Sequence, residues 1–343
     1  MASPPDAAEL SQAAFLLRLS ARPVILAGGG VARAGAEEQL ARVAEVLDAP
    51  VITTWNGKGT LPDAHPLAAG ALFGRPEAGR LLESADTVFA LGTTLDPGPG
   101  SPQLDLPAQM IQIDADRAQL GRRYPVRLGI EADIREALTG ILTALEAPNP
   151  LKGAADRTSL APDERTGPGR AAELRQAAIR RAEESGPAQM AALAAIRRAL
   201  PADATILHRN PASAPWFFPF FEVAGPGTWV LAEEGSQFPV AEAAAAAGGA
   251  PGPLVCFCDE DELIPHLKEL EGLEEPGDLT FVVFTDRSDE GMESALAAAA
   301  SEAGLSVVAT SGQEALAKAL SREVAHPSHS IVEADLTWDA GPE

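Results

Sequence analysis

The sequence predicts an α/β protein made of two doubly wound domains, each built on a parallel sheet. Three observations lead there. Short apolar runs of strand length alternate with segments of helical periodicity along most of the chain. The stretch Arg22 to Gly70, RPVILAGGGVARAGAEEQLARVAEVLDAPVITTWNGKGTLPDAHPLAAG, reads as strand, glycine turn, helix and strand. Such a βαβ unit joins parallel strands. At 343 residues the chain is long enough for two cores, and Pro148, Pro150, Pro162 and Pro168, with neighbouring Gly, Ser and Thr, mark a linker between them. The expected division is a first domain over 1–146, a linker over 147–186 carrying one exposed helix at 170–185, and a second domain over 187–343.

Composition narrows the function classes. A hydrophobic fraction of 46% with 22% charged residues is that of an ordinary globular protein. The net charge of −23 speaks against nucleic acid as a partner. No apolar run reaches membrane-spanning length, so no membrane partner is expected. The beginning, MASPPDAAEL, lacks the basic and apolar regions of a signal peptide. The two cysteines, Cys256 and Cys258, exclude a disulfide framework and suit a reducing compartment. The expected location is the cytoplasm.

The elements follow in order. Residues 7–20 read as a helix with Leu10, Ala13, Ala14 and Leu17 on one face. Val24-Ile25-Leu26-Ala27 is a buried strand, closed by Gly28, Gly29 and Gly30. Glycines there permit a tight turn and the close approach of an anionic ligand to a helix N-terminus, or serve a turn with no ligand. A helix from Ala34 to Leu47 and a strand at Val51–Thr54 complete the unit. Lys58, in the loop after it, could meet a phosphate, but a solvated loop lysine is the preferred reading. Residues 62–74 read as a long loop with His65, and 76–84 as a helix. Strands follow at 86–91, ending Gly92-Thr93-Thr94, at 108–114, ending at Asp114, and at 126–130; Asp133 caps a helix over 134–145. A carboxylate just past a parallel strand, such as Asp114, lies where such sheets bind ligands, or serves as a cap.

In the second half, Met190, Leu193, Ile196 and Leu200 form a helix face and Thr205-Ile206-Leu207 a strand. The aromatic run PWFFPFF, 215–221, reads as core or interdomain packing. An alanine-rich helix is expected at 242–249 and a strand at 254–258 that buries both thiols on one face. Asp259-Glu260-Asp261 and a helix to Leu270 follow, then a strand at 280–284, a helix at 294–303, a strand at 306–309, a helix at 313–320 and a last strand at 330–334.

The phrases RPVILAGGGVARAGA, APVITTWNGKGTLPDAHPLAAG, ADTVFALGTTL, MIQIDAD and VRLGIEADIREAL occur in this order between Arg22 and Leu138. Together they resemble the central domain of thiamine-diphosphate-dependent enzymes of the acetolactate synthase and pyruvate oxidase group. More weakly, ALPADATILHRN and EEGSQFPVAEAAAAAGG resemble the family's C-terminal diphosphate-binding domain. The family's N-terminal pyrimidine-binding domain, which supplies the glutamate that activates the cofactor, has no counterpart in these 343 residues. The resemblance therefore implies no turnover by this chain alone and no catalytic residue within it. It implies a homo- or hetero-oligomer, with a separate pyrimidine-domain chain as a possible partner.

The resemblance also nominates site residues. Gly28, Gly29, Gly30, Thr54, Gly92, Thr93 and Asp114 match positions near the FAD or adenine nucleotide that some central domains carry. The flavin-binding form usually has an arginine just after the Gly92 position; here Thr93-Thr94-Leu95-Asp96 stands, so FAD is not expected. The family holds Mg2+ and diphosphate with Gly-Asp-Gly and a later Asn-Asn. Here Cys258-Asp259-Glu260, a 24-residue interval (261–284) and Thr285-Asp286 align with them. Asp259 and Asp286 are the implied metal ligands, and Asp259 and Glu260 flank the implied cofactor. Both glycines are replaced, Glu260 adds a charge opposing the anion, and His208-Arg209-Asn210-Pro211 departs from the family's glycine-containing stretch. Thiamine diphosphate and Mg2+ are thus implied by family, with binding expected to be lost. The expected function is a non-catalytic structural or partner subunit. The alternative is the larger half of a split carboligase or decarboxylase acting on 2-oxo acids. An NAD-dependent dehydrogenase fits poorly, because the glycines are consecutive and the second strand ends Thr53-Thr54-Trp55 without an acid.

Overall fold

The computed structural model describes residues 5–97, 104, 106, 109–148, 166–231, 243, 249–271, 279–285, 294–325, 329–338 and 341. The chain divides into two compact units, Met1–Arg180 and Arg181–Glu343.

The first unit runs α1 (Ala7–Leu19), β1 (Pro23–Ala27), α2 (Gly29–Ala34), α3 (Glu37–Leu47), β2 (Val51–Thr53), β3 (Ala68–Gly70), α4 (Pro76–Ser84), β4 (Thr87–Leu91), β5 (Met110–Asp114), β6 (Leu128–Glu131) and α5 (Ile134–Glu146), followed by α6 (Gly167–Ser185), which the unit boundary crosses. Its six strands are parallel, in the order β3-β2-β1-β4-β5-β6. Every residue of β1 and β4 is buried, as a sheet covered on both faces requires. Ile25, Ala27, Phe89, Leu91, Ile111 and Ile113 share one core with Leu10 and Leu17 of α1, Leu40 and Val43 of α3, and Leu138 and Ile141 of α5. Each such aliphatic side chain contributes roughly 1.5–3 kcal/mol on full burial.

Four local readings of this unit need correction. The glycine turn expected at 28–30 already opens a short helix, α2, and the helix expected from Ala34 starts at Glu37, because Gly35 turns into the left-handed region (φ 56°) and its N–H bonds back to the carbonyls of Val31 and Ala32, ending α2. The loop expected at 62–74 contains β3, an edge strand of Ala-Ala-Gly too short and too small-chained to show an apolar pattern. Lys58 is not solvated: it is buried, with Nζ 3.5 Å from Asp63 Oδ2, because the loop folds back on itself. The helix expected to lie exposed at 170–185 instead buries Arg170, Ala171, Leu174 and Ala178. Hydrogen bonds fasten it where large apolar side chains are few. Arg170 Nη2 donates to the carbonyls of Pro23 (3.1 Å) and Asp48 (3.4 Å), and Arg175 Nη1 donates to that of Asp63 (2.7 Å). Residues 149–165 of the expected linker lie outside the described residues.

The second unit comprises α7 (Pro187–Ala199), β7 (Thr205–His208), α8 (Ala214–Phe220), β8 (Trp229–Leu231), β9 (Leu254–Asp259), α9 (Glu260–Leu263), α10 (Leu267–Glu271), β10 (Leu279–Thr285), α11 (Ala295–Glu302), β11 (Val307–Ser311), α12 (Gln313–Glu323) and β12 (Ser330–Asp335). Its parallel sheet has the order β11-β12-β10-β9-β7-β8. One face carries Val255, Phe257, Val282 and Val332 against Trp216, Phe217 and Phe221 of the aromatic run, which is core as expected. The Phe217 ring lies 4.7 Å from that of Phe257. The other face carries Cys256, Cys258, Phe281 and Val283 against Leu263, Leu267 and Leu296. Both thiols are free and buried; the neighbouring Cys256 thiol and burial push Cys258 well above the ordinary thiol range, which leaves it inert. The helix expected after Asp259-Glu260-Asp261 and running to Leu270 begins already at Glu260 and is interrupted by a 3-10 turn at Ile264–His266 containing Pro265. Of the helix expected at 242–249, only Ala243 and Gly249 are described.

Arg170→Ala removes two hydrogen bonds from a charged donor to main-chain carbonyls. The expected result is a loss of roughly 1–3 kcal/mol in urea unfolding and faster amide exchange over 167–180. Unchanged exchange there would show that packing alone holds the helix.

Candidate functional site

In open parallel sheets, ligands bind beyond the strand C-termini where the strand order reverses. The first sheet reverses between β1 and β4, and the second between β7 and β9.

At the first reversal the turns after β1 and β4 touch backbone to backbone. Gly28 N–H donates to Leu91 O and Gly30 N–H to Gly92 O, each at 2.9 Å. A Cβ on Gly30 would stand 2.5 Å from Gly92 Cα, and one on Gly28 would stand 2.6 Å from Thr93 Cβ. Gly28 and Gly30 therefore serve the chain's own packing, and their N–H groups are taken. Beside this contact lies a cleft of about 220 Å³ lined by four of the nominated residues, Gly29, Thr54, Gly92 and Thr93. The two hydroxyls also have local duties: Thr54 Oγ1 accepts from Gly57 N–H (3.2 Å) and Thr93 Oγ1 from Leu95 N–H (3.0 Å). Asp114 is not part of the lining; it follows β5 and accepts from Asp116 N–H, and burial raises its carboxyl above the usual range. Residue-level reading missed Arg33, Trp55, Asn56, Phe73 and Asp96, which also line the cleft. Trp55 and Asn56 follow the end of β2, so the strand-end rule that selected Thr54 extends to them.

At the second reversal the strand ends are bridged by side chains. His208, the last residue of β7, is buried among Phe217, Phe218, Trp229 and Phe257, and its Nε2 lies 3.0 Å from Ser213 Oγ. Ser213 donates through both Oγ–H and N–H to Asn210 Oδ1, each at 2.7 Å. Asn210 Nδ2 donates to Asp259 Oδ1, across from β7 to the end of β9. Arg209 Nη2 makes a second bridge to Glu262 Oε1 at 3.1 Å. Asp259 thus has an amide partner in the chain itself. Its carboxyl is raised by burial and by the charges of Glu262 and Asp261, against the lowering effect of Asn210. Glu260 turns away to accept from Leu296 N–H (2.8 Å) at the start of α11, so this helix end already holds an anion.

These residues do not fit a magnesium diphosphate. The first turn of α9 carries Glu260, Asp261 and Glu262 where a phosphate would need open N–H groups. A like charge at 4 Å costs about 1–4 kcal/mol in surface-like surroundings. Among the described residues no group of three or more His, Cys, Asp or Glu could hold a metal ion. Asp286, the other nominated ligand, lies outside the described residues.

Burial of His208 gives a pH signature. Its imidazole is held neutral down to about 3, against an ordinary value of 6.5, because burial opposes the charge. The unfolded chain takes up that proton below about pH 6.5 and the fold does not. The group therefore weakens the fold increasingly as pH falls from 6.5 toward 3, by up to about 1.4 kcal/mol per pH unit. In urea unfolding at pH 4.5, 5.5, 6.5 and 7.5, the wild type is expected to lose stability on acidification faster than His208→Gln. Parallel losses would contradict a neutral buried imidazole.

Comparison with known proteins agrees with this architecture. Residues 10–141 match the family model described as the thiamine pyrophosphate enzyme central domain. The chain is 41% identical over 150 residues to a sulfoacetaldehyde acetyltransferase from Rhodobacter capsulatus, covering 42% of this chain and 25% of that protein. It is 34% identical over 149 residues to the acetolactate synthase large subunit of Corynebacterium glutamicum, covering 42% and 24% respectively. The matched segment thus spans about a quarter of the length of each relative. A benzoylformate decarboxylase structure from Polynucleobacter necessarius superposes over 100% of this chain and 66% of its own, with a TM-score of 0.73 at 17% identity, which speaks for the fold. Among the described residues no helix is long and apolar enough to cross a membrane. Residues 10–141 of this chain thus match the central domain of the thiamine pyrophosphate enzymes, and the chain is similar over part of its length to an acetolactate synthase large subunit.

Proposed function

We propose that this protein is a non-catalytic relative of the thiamine-diphosphate enzymes that serves as a structural or partner subunit in a homo- or hetero-oligomer. One observation carries the reading: the chain's own side chains bridge the crevice between β7 and β9, where a ligand would enter such a sheet. Asn210 engages Asp259, Arg209 engages Glu262, and the turn that follows is acidic. The candidate partner is a chain bearing a pyrimidine-binding domain. The cytoplasm is part of the proposal, since two free thiols suit a reducing compartment.

A second reading has one observation in its favour. Asp259 still stands at the strand reversal, the position at which a Mg2+ ligand would be useful. On that reading the chain is the larger half of a split carboligase or decarboxylase for 2-oxo acids.

Calorimetric titration of the purified chain with thiamine diphosphate and Mg2+ separates the two. The expected outcome is no saturable binding below the millimolar range, and no consumption of pyruvate under the same conditions. Replacing Glu260 and Asp261 by their amides (Glu260→Gln, Asp261→Asn) should then tighten binding about tenfold or more, as two opposing charges are removed. Micromolar binding by the wild type would overturn the first reading and support the second.

A further inference from the structure

A second cavity lies at the other end of the first sheet, away from the strand C-termini. It occupies about 240 Å³ between α4 and α6. Arg22, just before β1, and Arg80, on α4, both line it. Among the described residues neither guanidinium makes an ion pair or a side-chain hydrogen bond. Arg170 lines it too, held in place by the Pro23 and Asp48 carbonyls. The acids facing the cavity are Glu77, which is buried, and Glu173. Three guanidiniums against two carboxylates leave one positive charge in excess. Leu81 and Leu174 supply an apolar wall.

We infer that this cavity binds a small organic monocarboxylate with a short aliphatic body. A guanidinium presents its N–H donors in a planar fork that matches a carboxylate, and among the described residues the forks of Arg22 and Arg80 have no side-chain hydrogen bond or ion pair. The excess of one positive charge selects a singly charged anion. The volume and the leucine wall select a compact apolar body over a nucleotide or a sugar phosphate. The site lies wholly in the first unit and is independent of the reading of the second.

The probe is isovalerate (3-methylbutanoate), titrated into the whole protein by saturation-transfer NMR, with neutral 3-methylbutanamide and inorganic phosphate as comparators. Arg22→Gln and Arg80→Gln are the variants; among the described residues neither side chain makes a hydrogen bond or ion pair, so melting curves without probe should match the wild type. The expected result is saturable isovalerate binding that falls roughly tenfold in either variant, the loss of one charge-assisted contact, with the amide and phosphate binding more weakly. Absence of isovalerate binding would overturn the inference. Equal binding of acid and amide, tighter binding of phosphate, or indifference to both substitutions would do so as well. Should a variant fail to fold, the acid-against-amide comparison on the wild type still decides.

Discussion

Two turns that meet without side chains set the geometry of the first unit. The carbonyls of Leu91 and Gly92 receive the N–H groups of Gly28 and Gly30, and a Cβ on Gly30 would overlap Gly92. That contact brings the ends of β1 and β4 together at the point where strand order reverses. The neighbouring cleft, with Gly29, Thr54, Gly92 and Thr93 in its wall, exists beside this contact. Glycine here answers a steric demand of the chain on itself, the same demand that would arise if a ligand came as close.

The corresponding place in the second unit is held by side chains. A line of polar groups runs from His208 through Ser213 and Asn210, all buried, to the half-buried Asp259, and each member has a partner within the unit. Buried polar groups that are satisfied in this way fix one arrangement of the strand ends, because breaking any link leaves an unpaired group in a low-dielectric interior. Burial also keeps the imidazole neutral. An arrangement of this kind leaves a phosphate little to do: the helix start at Leu296 already has a carboxylate, and the α9 turn repels anions.

Fold and strand-end site rest on different residues of this protein. The match to the thiamine pyrophosphate enzyme central domain lies in the first unit, over residues 10–141. The second unit keeps the parallel sheet and reversal point expected of the architecture, while the residues at the reversal form internal contacts. A fold persists when its core pattern is kept, whereas a site depends on a few positions at strand ends, so the second can change without the first.

The sequence by itself determined the two α/β units, nearly all of the strands, the core role of the PWFFPFF run and the burial of Cys256 and Cys258. Each follows from apolar periodicity or, for the PWFFPFF run, from aromatic density, both local properties. It also marked the strand-end residues as the place to look, since Gly28 to Gly30, Gly92 and Asp259 all follow parallel strands. Tertiary structure alone decided what those residues do. Whether Gly28 faces a ligand or Thr93 depends on β4, some sixty positions away in the chain. Whether Asp259 is open to a cation depends on Asn210, and whether α6 is exposed depends on carbonyls at Pro23, Asp48 and Asp63. Partners so distant in sequence leave no periodic trace, because the hydrogen bonds that join them exist only once the sheets have brought the strand ends together.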